Sequence, residues 1–126
     1  MTNKKPITTT NAPAAVGPYS QGIETGNLLF VSGQLPIDMK TGEFPATIAE
    51  QASCCLRNID AIAREAGTTI QNAVKMTVFL TDMADFAEMN AAYAEFFPDS
   101  PPARSCVAVA GLPKNAEIEI EAIITI

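Results

Sequence analysis

Between residues 48 and 66 the apolar side chains fall on one helical face: Ile48, Ala52, Cys55, Leu56, Ile59, Ile62 and Ala66. A stripe of that width must be buried against a second layer, so the chain cannot fold as strands alone. Thr47, followed three residues later by Glu50, has capping-box spacing, and Gly67 stops the run. The partner layer is written in the alternation downstream. Val74, Met76, Val78 and Leu80 alternate with Lys75, Thr77, Phe79 and Thr81. From Glu117 to Ile126 a second alternation sets Ile118, Ile120, Ala122, Ile124 and Ile126 against Glu117, Glu119, Glu121, Ile123 and Thr125. Period two means strands with one apolar face each.

The remaining segments complete a small α+β pattern. An extended start around Pro6 to Thr8 precedes a hairpin of Tyr19–Glu24 and Leu28–Gln34, turned at Thr25-Gly26-Asn27. After the loop "DMKTGEFP" and the long helix, Asp82 or Asp85 can cap a second helix carrying Phe86, Met89, Tyr93 and Phe96 or Phe97, with Asn90 beside that stripe. Pro98 ends it, and a proline-rich turn leads to a strand predicted at Ser105–Ala110 and a "GLPKN" turn. The 126 residues fit one core, so residues 1–126 read as a single α+β domain: a mixed sheet with two helices packed on one face. The other face must be solvated or covered by another subunit.

Composition removes whole classes of function. A formal net charge of −6 repels phosphate backbones and anionic lipid, which argues against general nucleic-acid or membrane binding. The N-terminal lysines have no apolar stretch behind them, and no window approaches the roughly 18 apolar residues of a membrane span. The expectation is a cytoplasmic protein. Cys54, Cys55 and Cys106 are odd in number and two are adjacent in a helical pattern, so they read as reduced, mostly buried thiols. The chain has no histidine. Ser-His-Asp and Cys-His nucleophile systems are therefore impossible within one chain, and three cysteines at these spacings do not make a zinc site. Chemistry must run on carboxylates, Arg, Lys, Tyr, hydroxyls or backbone groups.

One constellation stands out near the C-terminus. Arg104 follows Pro101-Pro102-Ala103 and precedes small and apolar strand residues. A guanidinium fixed at a strand start can grip a carboxylate with two parallel hydrogen bonds. The plainer alternative is a surface salt bridge to one of the glutamates, worth about 0–1 kcal/mol. Glu117, Glu119 and Glu121, roughly 7 Å apart along one strand face, form either a solvated row or a guarded edge. Pattern alone leaves both choices open.

"PARSCVAVAGLPKNAEIEIEA", together with "NAPAAVGPYSQGI", "FVSGQLP" and "VKMTVFLTDMADFAEMN", resembles the YjgF/YER057c/UK114 (RidA) family over nearly the whole chain. The resemblance implies a chorismate-mutase-like fold assembled as a homotrimer, with sheets forming a central barrel and clefts between subunits. It further implies cofactor-independent deamination of reactive 2-imino and 2-enamino acids, such as 2-aminoacrylate released by pyridoxal-phosphate dehydratases, to 2-keto acids and ammonia. By motif position, the carboxylate-binding arginine is Arg104, the acidic residue Glu119, the cleft tyrosine Tyr19, and the polar helix residue Asn90. Ser32 and Gly33 match the Ser-Gly pair lining the cleft, and Cys106 the position whose backbone faces the ligand. Two departures bear on substrate access: Gly111 replaces an often basic residue, and the Pro98–Pro102 turn is compact.

On this reading Arg104 orients the imine carbon, Glu119 takes a proton from the attacking water and returns one to the leaving nitrogen, and a backbone carbonyl near Cys106 holds the water. The rivals are a non-enzymatic keto-acid-binding regulator, which would use the same arginine, and a ribonuclease, which the acidic charge and absent histidine disfavour.

Overall fold

Thr47 caps the long helix as its spacing predicts: its hydroxyl accepts the Glu50 amide at 3.1 Å and opens α1 (Ile48–Glu65). The Glu88 carboxylate accepts the Ala49 amide at 3.0 Å, placing a second acceptor on the donors that a helix start leaves unpaired. At the far end Gly67 adopts φ +85°, which a side chain would resist, and the Thr68 amide returns to the Ala63 carbonyl at 3.0 Å. Every residue of the predicted stripe is buried except Ala66, which is partly so.

The computed structural model describes residues 3–126. Six strands form one sheet: β1 (Lys5–Ile7), β2 (Gly22–Thr25), β3 (Leu28–Gln34), β4 (Ala73–Leu80), β5 (Ala103–Ala108) and β6 (Ile118–Thr125). Their order is β1-β2-β3-β6-β4-β5, antiparallel throughout except for the parallel β4–β5 pair. The last strand to be made is therefore inserted at the sheet's centre. With α2 (Phe86–Ala94) this gives the predicted single-domain α+β fold, in which both helices pack on one face and share a continuous core with Leu29, Val31, Met76, Val78, Ile118, Ile120 and Ile124. No described helix is long and apolar enough to cross a membrane.

Several boundaries differ from the sequence expectation, and each has a local cause. The first hairpin strand begins at Gly22 rather than Tyr19, because the Ser20 and Gln21 carbonyls bond to Ser32 instead of continuing the ladder. Asp82 caps a short 3-10 turn, Met83–Asp85, and α2 follows it directly. β5 starts at Ala103, two residues early, so Arg104 lies inside the strand opposite Met76. Val74 does not join the core: the register shifts between Ala73 and Lys75, leaving Val74 exposed while Ala73 is buried.

The open sheet face carries Phe30, Phe79, Val107 and Ile123 beside Glu119 and Glu121, as their registers across β3, β6, β4 and β5 require. Phe30 and Val107 are exposed there.

Candidate active site

Arg104 sits on β5, the sheet edge paired only with β4, and faces the helix layer because its neighbour in register is the fully buried Met76. Its Nη1 donates to Asn90 Oδ1 at 2.7 Å. The guanidinium lies over the Tyr93 ring, 4.8 Å from its centre, and 5.6 Å from the centre of the Phe86 ring. Among the described residues the one ion pair is Arg64–Asp60. Arg104 is thus a half-buried cation without a carboxylate partner, and the salt bridge to a strand glutamate does not form.

Cys106 follows on the same face, in register with Val78 and packed at the margin of the core. Burial pushes its thiol above the ordinary range, with Arg104 acting against that, so the sulfur carries its proton at neutral pH. A protonated thiol is a poor nucleophile. The groups at Cys106 suited to hold a water are those of the backbone, along an edge that β4 satisfies on one side only.

Glu119 lies on the opposite face, in register with Phe79, where it meets Gly33. The β3–β6 register shifts between Val31 and Gln34, so Ser32 and Gly33 leave the regular ladder. A Cβ placed on Gly33 would stand 2.4 Å from Glu119 Oε2. Only a residue without a side chain lets the carboxylate settle there. Burial, and after it the charge of Glu121, raises the Glu119 carboxyl above the usual carboxylate value. Glu117 takes no part in that shift. It precedes β6, so strand alternation does not govern it, and its carboxylate accepts Gln51 Nε2 from the helix layer at 3.3 Å. The predicted row of three acids is a pair.

Ser32, Tyr19 and Lys114 line, with Glu119, a cleft of ≈ 760 Å³. The Ser32 hydroxyl donates to the Ser20 carbonyl at 2.6 Å and its amide to the Gln21 carbonyl at 2.9 Å. Ser32 therefore fixes the segment that presents Tyr19, whose side chain is half-exposed at the rim. Gln21 adds to this. Its buried amide receives the Thr9 N–H at 2.7 Å and donates to the Thr9, Ala12 and Pro13 carbonyls. Sequence reasoning missed Gln21, which no periodicity marks, and placed Phe86 and Tyr93 only in a core stripe. Their spacing from Asn90 was the available signal.

The candidate residues form two groups on opposite faces of one sheet: Arg104, Asn90 and Cys106 toward the helices, Tyr19, Ser32, Gly33 and Glu119 toward the open side. Within one chain the cation and the acid do not meet.

Comparison with known proteins places the chain. The family model described as Endoribonuclease L-PSP matches residues 9–126. The RutC family protein y4sK of Sinorhizobium fredii is 58% identical over 123 residues, covering 97% of this chain and 98% of that protein. The 2-iminobutanoate/2-iminopropanoate deaminase of Escherichia coli (strain K12) is 53% identical over 122 residues, covering 94% and 95%. The crystal structure of E. coli TdcF with bound serine superposes with a TM-score of 0.93 at 47% identity, covering 98% of this chain and 99% of that one. The chain belongs to the endoribonuclease L-PSP family, the YjgF/RidA proteins whose motifs it carries.

Proposed function

We propose that this protein hydrolyses reactive 2-imino acids and their enamine tautomers, such as 2-aminoacrylate, to 2-keto acids and ammonia. The observation that carries the reading is the Arg104 guanidinium, half-buried, pre-set by Asn90 and two rings, and free of any carboxylate among the described residues. Its remaining N–H groups suit the carboxylate of a small 2-imino acid. The 53% identical E. coli relative is named for this activity, and the TdcF structure holds serine, a small amino acid with that carboxylate.

The site is completed by a neighbouring copy in a homotrimer whose sheets form a central barrel. The division of the candidate residues between two sheet faces supports this, as does the apolar Phe30 and Val107 surface of the open face. In that arrangement Arg104, Asn90 and Cys106 come from one subunit, and Tyr19, Ser32, Gly33 and Glu119 from the next. The reaction needs no cofactor. Arg104 holds the carboxylate and aligns the C=N carbon. Glu119, its carboxyl raised above the usual carboxylate value, acts as the carboxylate and accepts a proton from water as the C–O bond forms and the C=N π pair moves onto the protonated imine nitrogen. The carbinolamine then loses ammonia: Glu119 returns the proton to the nitrogen, the C–N bonding pair leaves with NH3, and the hydroxyl O–H pair becomes the C=O bond of the keto acid as that proton passes back to the Glu119 carboxylate. A Cys106 backbone carbonyl orients the water, and Tyr19 walls the cleft.

The test is ammonia release from imines generated in situ by a pyridoxal-phosphate dehydratase or an amino-acid oxidase. Wild type should accelerate it, and Arg104→Ala should lower kcat/KM about 10- to 150-fold, the equivalent of a charge-assisted hydrogen bond of about 1.5–3 kcal/mol. Binding of 2-oxobutanoate with no acceleration would favour a metabolite-binding protein instead. Near-normal turnover by Arg104→Ala would remove the clamp. The RNA cleavage in the family's description has no support in a chain of net charge −6 without histidine.

A further inference from the structure

Phe86, Asn90 and Tyr93 are spaced i, i+4, i+7 on α2, and together they surround the Arg104 guanidinium. Both rings lie within the roughly 6 Å over which a cation is drawn to an aromatic face. Tyr93 is only 6% exposed, and its ring is braced in turn by Phe97, with centres 5.0 Å apart and planes tilted by 45°. We propose that Tyr93, assisted by Phe86, is a positioning residue that fixes the plane of the Arg104 guanidinium so that its open N–H edge is presented to a ligand carboxylate. The inference rests on Arg104 being the carboxylate clamp.

The physical case turns on what a ring uses up. A carboxylate in the same place would occupy the N–H fork and compete with the substrate. A ring draws the cation to its π-face without accepting the paired hydrogen bonds a carboxylate would take, while Asn90 takes one N–H. A loose arginine would surrender its rotamer freedom at every binding event, whereas a braced one has already done so. The operative part of Tyr93 is its ring. Its hydroxyl is buried with no hydrogen-bond partner among the described residues. Burial lifts the phenol to about 12, with Arg104 acting against that, so it supplies no negative charge.

The experiment measures 2-oxobutanoate affinity by calorimetry, KM and kcat for imine hydrolysis, and thermal stability for the assembled wild type, Tyr93→Phe, Tyr93→Leu and Phe86→Leu. Tyr93→Leu removes the π-face while keeping an apolar side chain, and should weaken the Kd and raise KM about five- to thirtyfold, with kcat changing less. Tyr93→Phe should restore wild-type affinity. Equal weakening in Tyr93→Phe and Tyr93→Leu would assign the effect to the hydroxyl and overturn the proposal, as would a folded Tyr93→Leu with unchanged Kd. If Tyr93→Leu does not fold, Phe86→Leu decides: a weakened Kd supports the proposal and an unchanged one overturns it. Absence of deamination in wild type, with these Kd shifts intact, would sink the enzymatic reading and leave the positioning role standing.

Discussion

Replacing Gly33 with alanine separates the position of the Glu119 carboxylate from the stability of the fold. The new Cβ would lie 2.4 Å from Oε2, 2.7 Å from Cδ and 3.2 Å from Cγ of Glu119. Restoring an ordinary contact needs the carboxyl end to retreat about 1 Å, and the atoms in the way are the far end of a flexible side chain rather than backbone. An off-rotamer torsion costs about 0.5–1.5 kcal/mol. Alanine also stiffens the unfolded chain, which offsets about 0.4–1 kcal/mol of that. Net stability should therefore change by no more than about 1 kcal/mol, a Tm shift of only about 2–6 °C. Catalysis is less forgiving, because a misplacement of about 1 Å can cost about 100-fold. The assay is ammonia release from freshly generated imine, with 2-oxobutanoate binding and a thermal melt on the same preparation. Affinity should change less than turnover, because in the proposed assembly the ligand carboxylate is held by Arg104 and not by the displaced acid. A folded Gly33→Ala with ordinary turnover would refute the reasoning, because it would mean that the seat above Gly33 is not where Glu119 works.

Two further outcomes follow from the same geometry. Because the Glu119 carboxyl is raised in the folded state, its contribution to stability is fully present below the ordinary carboxylate value of 4.5 and is lost as pH rises through its folded value. Glu119→Gln should therefore flatten that part of the Tm-against-pH curve and melt above wild type at pH 7, while lowering kcat about 10²- to 10⁴-fold; a parallel curve would show that the strain is not there. Gln21→Ala strands buried partners at Thr9, Ala12 and Pro13, costs about 2–4 kcal/mol in a denaturant titration, and loosens the segment leading to Tyr19; a loss under about 0.5 kcal/mol would mean that water replaces the amide freely.

Whatever depends on neighbours along the chain is legible in the sequence. The α1 stripe, its Thr47 cap, the Gly67 stop, the hairpin turn at Gly26 and the inward isoleucines of β6 all follow from short-range sterics and from periods of 3.6 or 2. Arg104 is legible as a candidate because a cation entering an apolar strand must be paired or must hold a ligand, and the family motif names the residues expected to work with it. Whatever depends on which strand lies beside which is settled only in three dimensions. β6 inserts between β3 and β4, so Glu119 meets Gly33 from a segment 86 residues away in sequence number. The start of β6 turns Glu117 to Gln51, the bulge in β4 expels Val74, and α2 rather than any glutamate provides the partners of Arg104. Side-chain alternation is written locally, but register and layer contacts are set by packing the whole core, and that is why the placing of Arg104 and Glu119 on opposite faces could be read only from the fold.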